Sequence, residues 1–163
     1  MAVEMQLVSV EDPERPNRTP VVILRESSGQ RRLLPIFIGA AEAQAINLSL
    51  KNIETPRPMT HDLMKNLLDE VGARVERITV TALRDGTFYA EIVLNAQGEV
   101  RTVSSRPSDA IALAVRLGSP IYAEEDVLDE AGRVEQPDEE QAEQMVEQFR
   151  AFIDHVNPED FAL

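Results

Sequence analysis

Hydrophobic and polar positions change period several times along the chain, and each change marks an element. Residues 2–10 alternate loosely, with Val3, Met5, Leu7 and Ser9 against Glu4, Gln6, Val8 and Val10, and read as a strand. "EDPERPNRTP" is a turn-rich connector with three prolines. "VVILRE" and "RRLLPIFI", joined by "SSGQ", read as a hairpin, and Pro35 suggests an edge position or a bulge in its second strand. "GAAEAQAINLSLK", residues 39–51, has apolar residues on nearly every side and predicts a buried helix.

The pattern at 60–71 is cleaner. Leu63, Met64, Leu67, Leu68 and Val71 form one helical stripe, with Thr60 as the expected N-cap, Asp62 in the first turn and Gly72 at the end. A three-strand meander follows. Ile78, Val80 and Ala82 share a face while Val75 is out of step, so a bulge is expected there. Asp85-Gly86 is a strong hairpin turn, after which Phe88, Ala90, Ile92 and Leu94 face one way. "AQGE" turns into "VRTVS". A second Ala-rich helix runs to Leu117, and "GSPIYAE" is a short strand. A last amphipathic helix carries Met145, Phe149, Phe152, Ile153 and Val156 on its stripe. Hairpins dominate and strands do not alternate regularly with helices. The expected class is α+β: a mixed, mainly antiparallel sheet, two buried Ala-rich helices, one amphipathic helix and a C-terminal acidic helix.

Composition refines this. The chain is 43% hydrophobic but 4% aromatic, so the core must rest on Ala, Val, Ile and Leu. It has no cysteine, which excludes disulfides, thiol catalysis and cysteine-ligated zinc and fits a cytoplasmic location. The N-terminus shows no signal-peptide pattern, and no window approaches the ~20 apolar residues of a membrane span. The net charge of −13 is uneven: residues 1–36 net 0, residues 37–123 net −1 and residues 124–163 net −12. The chain therefore reads as a body, residues 1–132, that is nearly neutral through residue 123, and an acidic helical tail, residues 133–163. That tail would repel nucleic acid or gate a groove on the body.

Three places carry candidate chemistry. In "SSRPSDAIALAVRLG", Pro107 suits the first helical position, which makes Arg106 the cap residue. Arginine accepts no hydrogen bond and is a poor cap. Asp109 at the third position can reach back to a free N–H, and Ser108 lies between them. The helix start is a natural anion site with an arginine at its lip. A plain reading stands beside it, in which Ser105 caps and Asp109 closes the capping box. In "TPRPMTHDL", His61 is the body's one histidine, placed at a helix N-terminus that favours its neutral form; an ordinary, exposed helix start reads the same way. Glu42 lies among alanines and needs a partner, for which Arg106 is a candidate. No HExxH, DxDxDG, GxGxxG, P-loop or GxSxG pattern is present.

"LPIFIGAAEAQAI", "TPRPMTHDLM", "SSRPSDAIALAVRLGSPIYAEEDVL" and the closing "VNPEDF" together resemble the bifunctional nuclease domain family of bacteria and plants. The resemblance spans roughly residues 5–130 plus the tail signature. It implies an α+β fold that assembles into homo-oligomers and a nuclease acting on RNA and DNA. Many members carry a UVR-type helical motif at the C-terminus; this chain has one acidic helix there. The motif positions carried over are Glu42, Arg57, Thr60, His61, Asp62, Arg106, Ser108 and Asp109. In the expected site, Arg57, Arg106 and Ser108 bind phosphate. Glu42, Asp62 or Asp109 hold a divalent Mg or Mn ion. His61 is general base or acid. The alternative is a non-catalytic regulatory module that binds a small anion or a protein.

Overall fold

The computed structural model describes residues 1–11, 18–135 and 139–154. The first strand, β1 (Ala2–Glu11), pairs antiparallel with β2 (Val21–Glu26), which pairs with β3 (Arg32–Phe37). Two helices follow, α1 (Ala40–Leu50) and α2 (Thr60–Glu70). The meander is β4 (Ala73–Arg84), β5 (Thr87–Ala96) and β6 (Glu99–Ser105). Then come α3 (Pro107–Leu117), β7 (Ile121–Glu124), α4 (Glu125–Ala131), β8 (Arg133–Val134) and α5 (Glu139–Asp154). The eight strands among the described residues form one sheet in the order β6-β5-β4-β7-β1-β2-β3-β8. The β4–β7 pair is parallel and the other pairs are antiparallel, so the class is the expected α+β with a mixed, mainly antiparallel sheet.

The local signals explain the strand geometry. Asp85 and Gly86 take φ of 49° and 75°, and Gln97 and Gly98 take 55° and 85°, the left-handed pairs of two-residue hairpins. The register of β4 on β5 slips between Val75 and Arg77, where Val75 is out of step in the sequence, and again between Val80 and Ala82. A third slip, between Leu7 and Ser9, leaves Val8 exposed and accounts for the loose alternation of β1. Pro35 lies where β3 is open on one side, because β8 pairs with Arg32 and Leu33 alone.

The core joins the sheet to α3. Ala110, Ile111, Ala112, Leu113 and Ala114 are all buried, on consecutive positions and hence on every side of the helix. Alanine makes this possible, since its small side chain lets α3 lie against α1, α2, β4 and β5 at once. Helix α1 is less enclosed than its composition predicts. It buries Ala43 and Ile46 and exposes Ala40, Ala41 and Gln44. The α2 stripe divides: Met64 and Leu68 pack on the core, while Leu63, Leu67 and Val71 stay exposed, Leu67 by 57%. In α5, Met145 and Phe149 are exposed; Val156 lies outside the described residues. Among the described residues no helix is long and apolar enough to cross a membrane.

Helix α4 and a buried ion cluster go beyond the sequence reading. Arg32, at the start of β3, donates from Nη2 to Glu26 Oε1 at 2.8 Å and from Nε to Glu26 Oε2 at 3.1 Å. The same guanidinium reaches Glu125 at 2.6 Å and Asp129 at 2.8 Å on α4. Glu26 also accepts the Arg32 backbone N–H at 2.7 Å. These bonds tie the β2–β3 hairpin to α4. Arg32→Ala leaves a buried, unpaired carboxylate, which costs about 3–5 kcal/mol. Chemical denaturation should show that loss, and adding Glu26→Gln should restore part of it by removing the stranded charge.

Candidate active site at the start of α3

Strand β6 ends at Ser105 and α3 begins at Pro107, so Arg106 is the cap residue, as its neighbour dictates. Its backbone is extended, with φ −71° and ψ 144°, and no side chain caps the helix. The Ser105 hydroxyl donates to the Arg106 carbonyl and serves no cap. Gly118 closes the far end with φ 68°. The Asp109 carboxylate does reach back one turn, but it meets a guanidinium and not the expected N–H. Arg106 Nε donates to Asp109 Oδ2 at 2.8 Å and Nη2 to Oδ1 at 3.2 Å.

Two further residues complete the cluster. Glu42, in the first turn of α1, lies 3.2 Å from Arg106 Nη1 through Oε1. Its other oxygen lies over Gly39, where a Cβ would collide with it. His61 is 7% exposed, so the exposed helix start is corrected to a buried side chain turned inward. Its Nε2 stands 3.0 Å from Asp109 Oδ1. The expected cap is also corrected by one residue. Met59 is the N-cap of α2, and Asp62 Oδ2 accepts the Met59 N–H at 2.9 Å. Thr60, one step later, is already helical. Glu42, His61, Arg106 and Asp109 line one cleft of about 320 Å³, with Thr60 at its wall.

The other predicted residues lie elsewhere. Ser108 is buried on a second cleft, across Arg106 from the first. Arg57 is exposed in the loop before α2 and lines none of these clefts. Asp62 turns away from His61 toward Arg116, whose Nε donates to Asp62 Oδ1 at 2.7 Å. Arg116 also donates to the carbonyls of Ala112 at 2.8 Å and Ala45 at 2.9 Å, and its side chain is 6% exposed. It ties α1, α2 and α3 together and fixes the frame around the cleft. The sequence signal for it was a lone charge near the end of an apolar helix.

Every gene-encoded feature of this cluster falls within one family match. The bifunctional nuclease domain family matches residues 22–136. The chain belongs to the bifunctional nuclease domain family. A protein of Mycobacterium tuberculosis, itself described as uncharacterized, is 44% identical over 154 residues, covering 91% of this chain and 92% of its own. Bifunctional nuclease 2 of Arabidopsis thaliana is 31% identical over 111 residues, 65% of this chain and 34% of that protein. Bifunctional nuclease 2 of Oryza sativa is 30% identical over 105 residues, 63% of this chain and 32% of its own. The chain thus spans about a third of the plant bifunctional nucleases.

The electrostatics of this bifunctional nuclease domain set what the cleft can do. Burial opposes the Asp109 carboxylate, but hydrogen bonds from Arg106 and His61 outweigh it and hold the carboxyl below its ordinary value. An ionised Asp109 can only accept, so the 3.0 Å contact calls for an N–H on His61 Nε2. The donor set also bears on a divalent cation. Two carboxylates and an imidazole suit one by type. Both carboxylates, however, are engaged by Arg106, and no three His, Asp or Glu groups among the described residues are placed to share one ion. The arrangement does not fit the expected Mg or Mn ion.

Three carboxyls make stability pH-dependent with one sign. Arg32 lowers Glu26, Arg116 and the Met59 N–H lower Asp62, and Asp109 is lowered as described. A depressed folded-state pKa contributes stability above the unfolded value and loses it as pH falls through the folded one. Thermal melts should therefore hold steady above the ordinary values of 3.8 and 4.5 and fall progressively at lower pH. Arg116→Ala should flatten part of that fall.

Proposed function

We propose that the protein is a phosphodiesterase acting on RNA or DNA, with its reaction centred on the Arg106–Asp109–His61 cleft. The observation that supports this most is the convergence of Glu42, His61, Arg106 and Asp109, from three separate helices, on one cleft. In this reading Arg106 exchanges one carboxylate for a non-bridging phosphate oxygen. Its guanidinium then offsets the charge that builds on phosphorus in the transition state. The helix start behind it adds free N–H groups facing the same anion. Asp109 holds the imidazole, and His61 Nδ1 takes a proton from the attacking water as its oxygen bonds to phosphorus; the bond from phosphorus to the leaving sugar oxygen breaks, and that oxygen takes a proton from the imidazolium or from solvent. Glu42 positions Arg106. Family membership and the plant relatives' names point to the same substrate class.

A cleavage assay on single-stranded RNA and DNA tests this. His61→Asn and Arg106→Ala should each lower the rate about 10²–10⁴-fold with the fold intact by circular dichroism. Gly39→Ala, which displaces the Glu42 carboxylate, should lower it less and leave the melting temperature nearly unchanged. Unchanged rates in the first two variants would remove the site and favour a non-catalytic anion-binding module. Strict dependence on Mg or Mn would place an ion on Glu42 and Asp109 and overturn their assignment to Arg106.

Self-association belongs to the same proposal. Leu63, Leu67 and Val71 form an exposed apolar ridge on α2, and we assign a second copy to it. Leu67→Glu should shift the species seen in sedimentation velocity toward monomer; an unchanged distribution would clear the ridge of that role.

A further inference from the structure

The second cleft beside Arg106 has a composition that phosphate chemistry does not explain. It encloses about 330 Å³ and is lined by Phe37, Gly39, Phe88, Arg106, Pro107 and Ser108, among others. The volume lies within the range of small-molecule sites. Two features set it apart. The body has four aromatic residues, Phe37, Phe88, Tyr89 and Tyr122, and two of them line this one cleft. Phe37 is also 70% exposed at the end of β3, although a phenyl ring there gains nothing for the core. An exposed ring at a cleft mouth is a ready stacking surface.

The placement follows from the sheet. Strands β3 and β5 are five positions apart in the strand order, yet the end of one and the start of the other border the same cleft. The twist and curl of the sheet bring them together. The start of α3 lies between them, with Arg106 on both this cleft and the His61 cleft. A phosphate held by Arg106 therefore has an aromatic, largely apolar recess on one side and the imidazole on the other.

From this geometry we infer that the Phe37–Phe88 cleft is a nucleobase subsite, taking the base of the nucleotide whose phosphate lies on Arg106. The inference rests on the phosphodiesterase reading for the phosphate and adds where the base goes. Every base has a π-face, so stacking on Phe37 selects nucleotides without selecting sequence. Thr19, Thr87 and Ser108 also line the cleft and bring hydroxyl groups suited to a base edge or the sugar. A phosphodiesterase that takes RNA or DNA without regard to sequence is served by this kind of tolerant contact.

Calorimetric titration with AMP and with ribose 5-phosphate tests it, since the two share sugar and phosphate and differ in the base. AMP should bind the wild-type protein more tightly. Phe37→Ala should weaken AMP at least about tenfold and leave ribose 5-phosphate unchanged, as loss of one stacked base predicts. Because Phe37 is exposed, that variant should keep its fold. Phe37→Trp should retain AMP binding, and, as the chain has no other tryptophan, its fluorescence should be quenched by AMP and not by ribose 5-phosphate. Equal affinities for the two ligands, no detectable AMP binding at millimolar concentration, or no effect of Phe37→Ala would overturn the subsite. Arg106→Ala should weaken both ligands alike. If it weakens neither while Phe37→Ala still weakens AMP, the base subsite stands and the phosphate role of Arg106 falls.

Discussion

The guanidinium of Arg116 is the point at which α1, α2 and α3 are tied to one another. It is buried, and it donates to the Ala45 carbonyl of α1, the Ala112 carbonyl of α3 and the Asp62 carboxylate of α2. A buried cation is tolerable only when its donors are met, and here each partner comes from a different helix. Asp62 in turn holds the Met59 N–H at the start of α2. One residue thus sets the spacing of three helices whose N-terminal turns carry Glu42, His61 and Arg106. The cleft is as well defined as this tie allows.

The alanines of α3 provide the complementary condition. Leucine-sized groups in their place would hold α1 and α2 further off, and Glu42 could not come within 3.2 Å of Arg106. Small side chains here set the distance between charges. The same logic operates at Gly39, where the missing side chain is occupied by the Glu42 carboxylate. The second ion cluster, around Arg32, does unrelated work at the other end of β3, locking the β2–β3 hairpin to α4. Its bonds satisfy buried charge and border none of the clefts around Arg106.

Arg106 is therefore balanced between partners. It is 65% exposed at the side chain, and in the absence of a ligand it is paired with two carboxylates, Glu42 and Asp109. A guanidinium in that state costs little to hold and can exchange one oxygen anion for another of similar geometry. Phosphate is such an anion. Residues 1–123 have a net charge of −1, which agrees with a site built for local exchange and not for long-range attraction of nucleic acid.

Much of this was legible in the order of residues. The Asp85-Gly86 turn, the break at Val75, the Pro107 start of α3 and the consequent capping position of Arg106 are set by neighbours within a few residues, through steric and hydrogen-bond rules that act locally. The motif residues and the family followed from the same strings. Other features needed the folded chain. His61 became buried because α2 turns it toward Asp109, 48 positions away. Half of the α2 stripe stayed exposed because β4 and α3 cover one side of the helix. The partners of Glu42, Arg32 and Arg116, and the placing of Phe37 and Phe88 on one cleft, depend on how distant segments pack. Periodicity reports which side of an element is apolar; which charge meets which, and across what distance, is decided by how the elements pack.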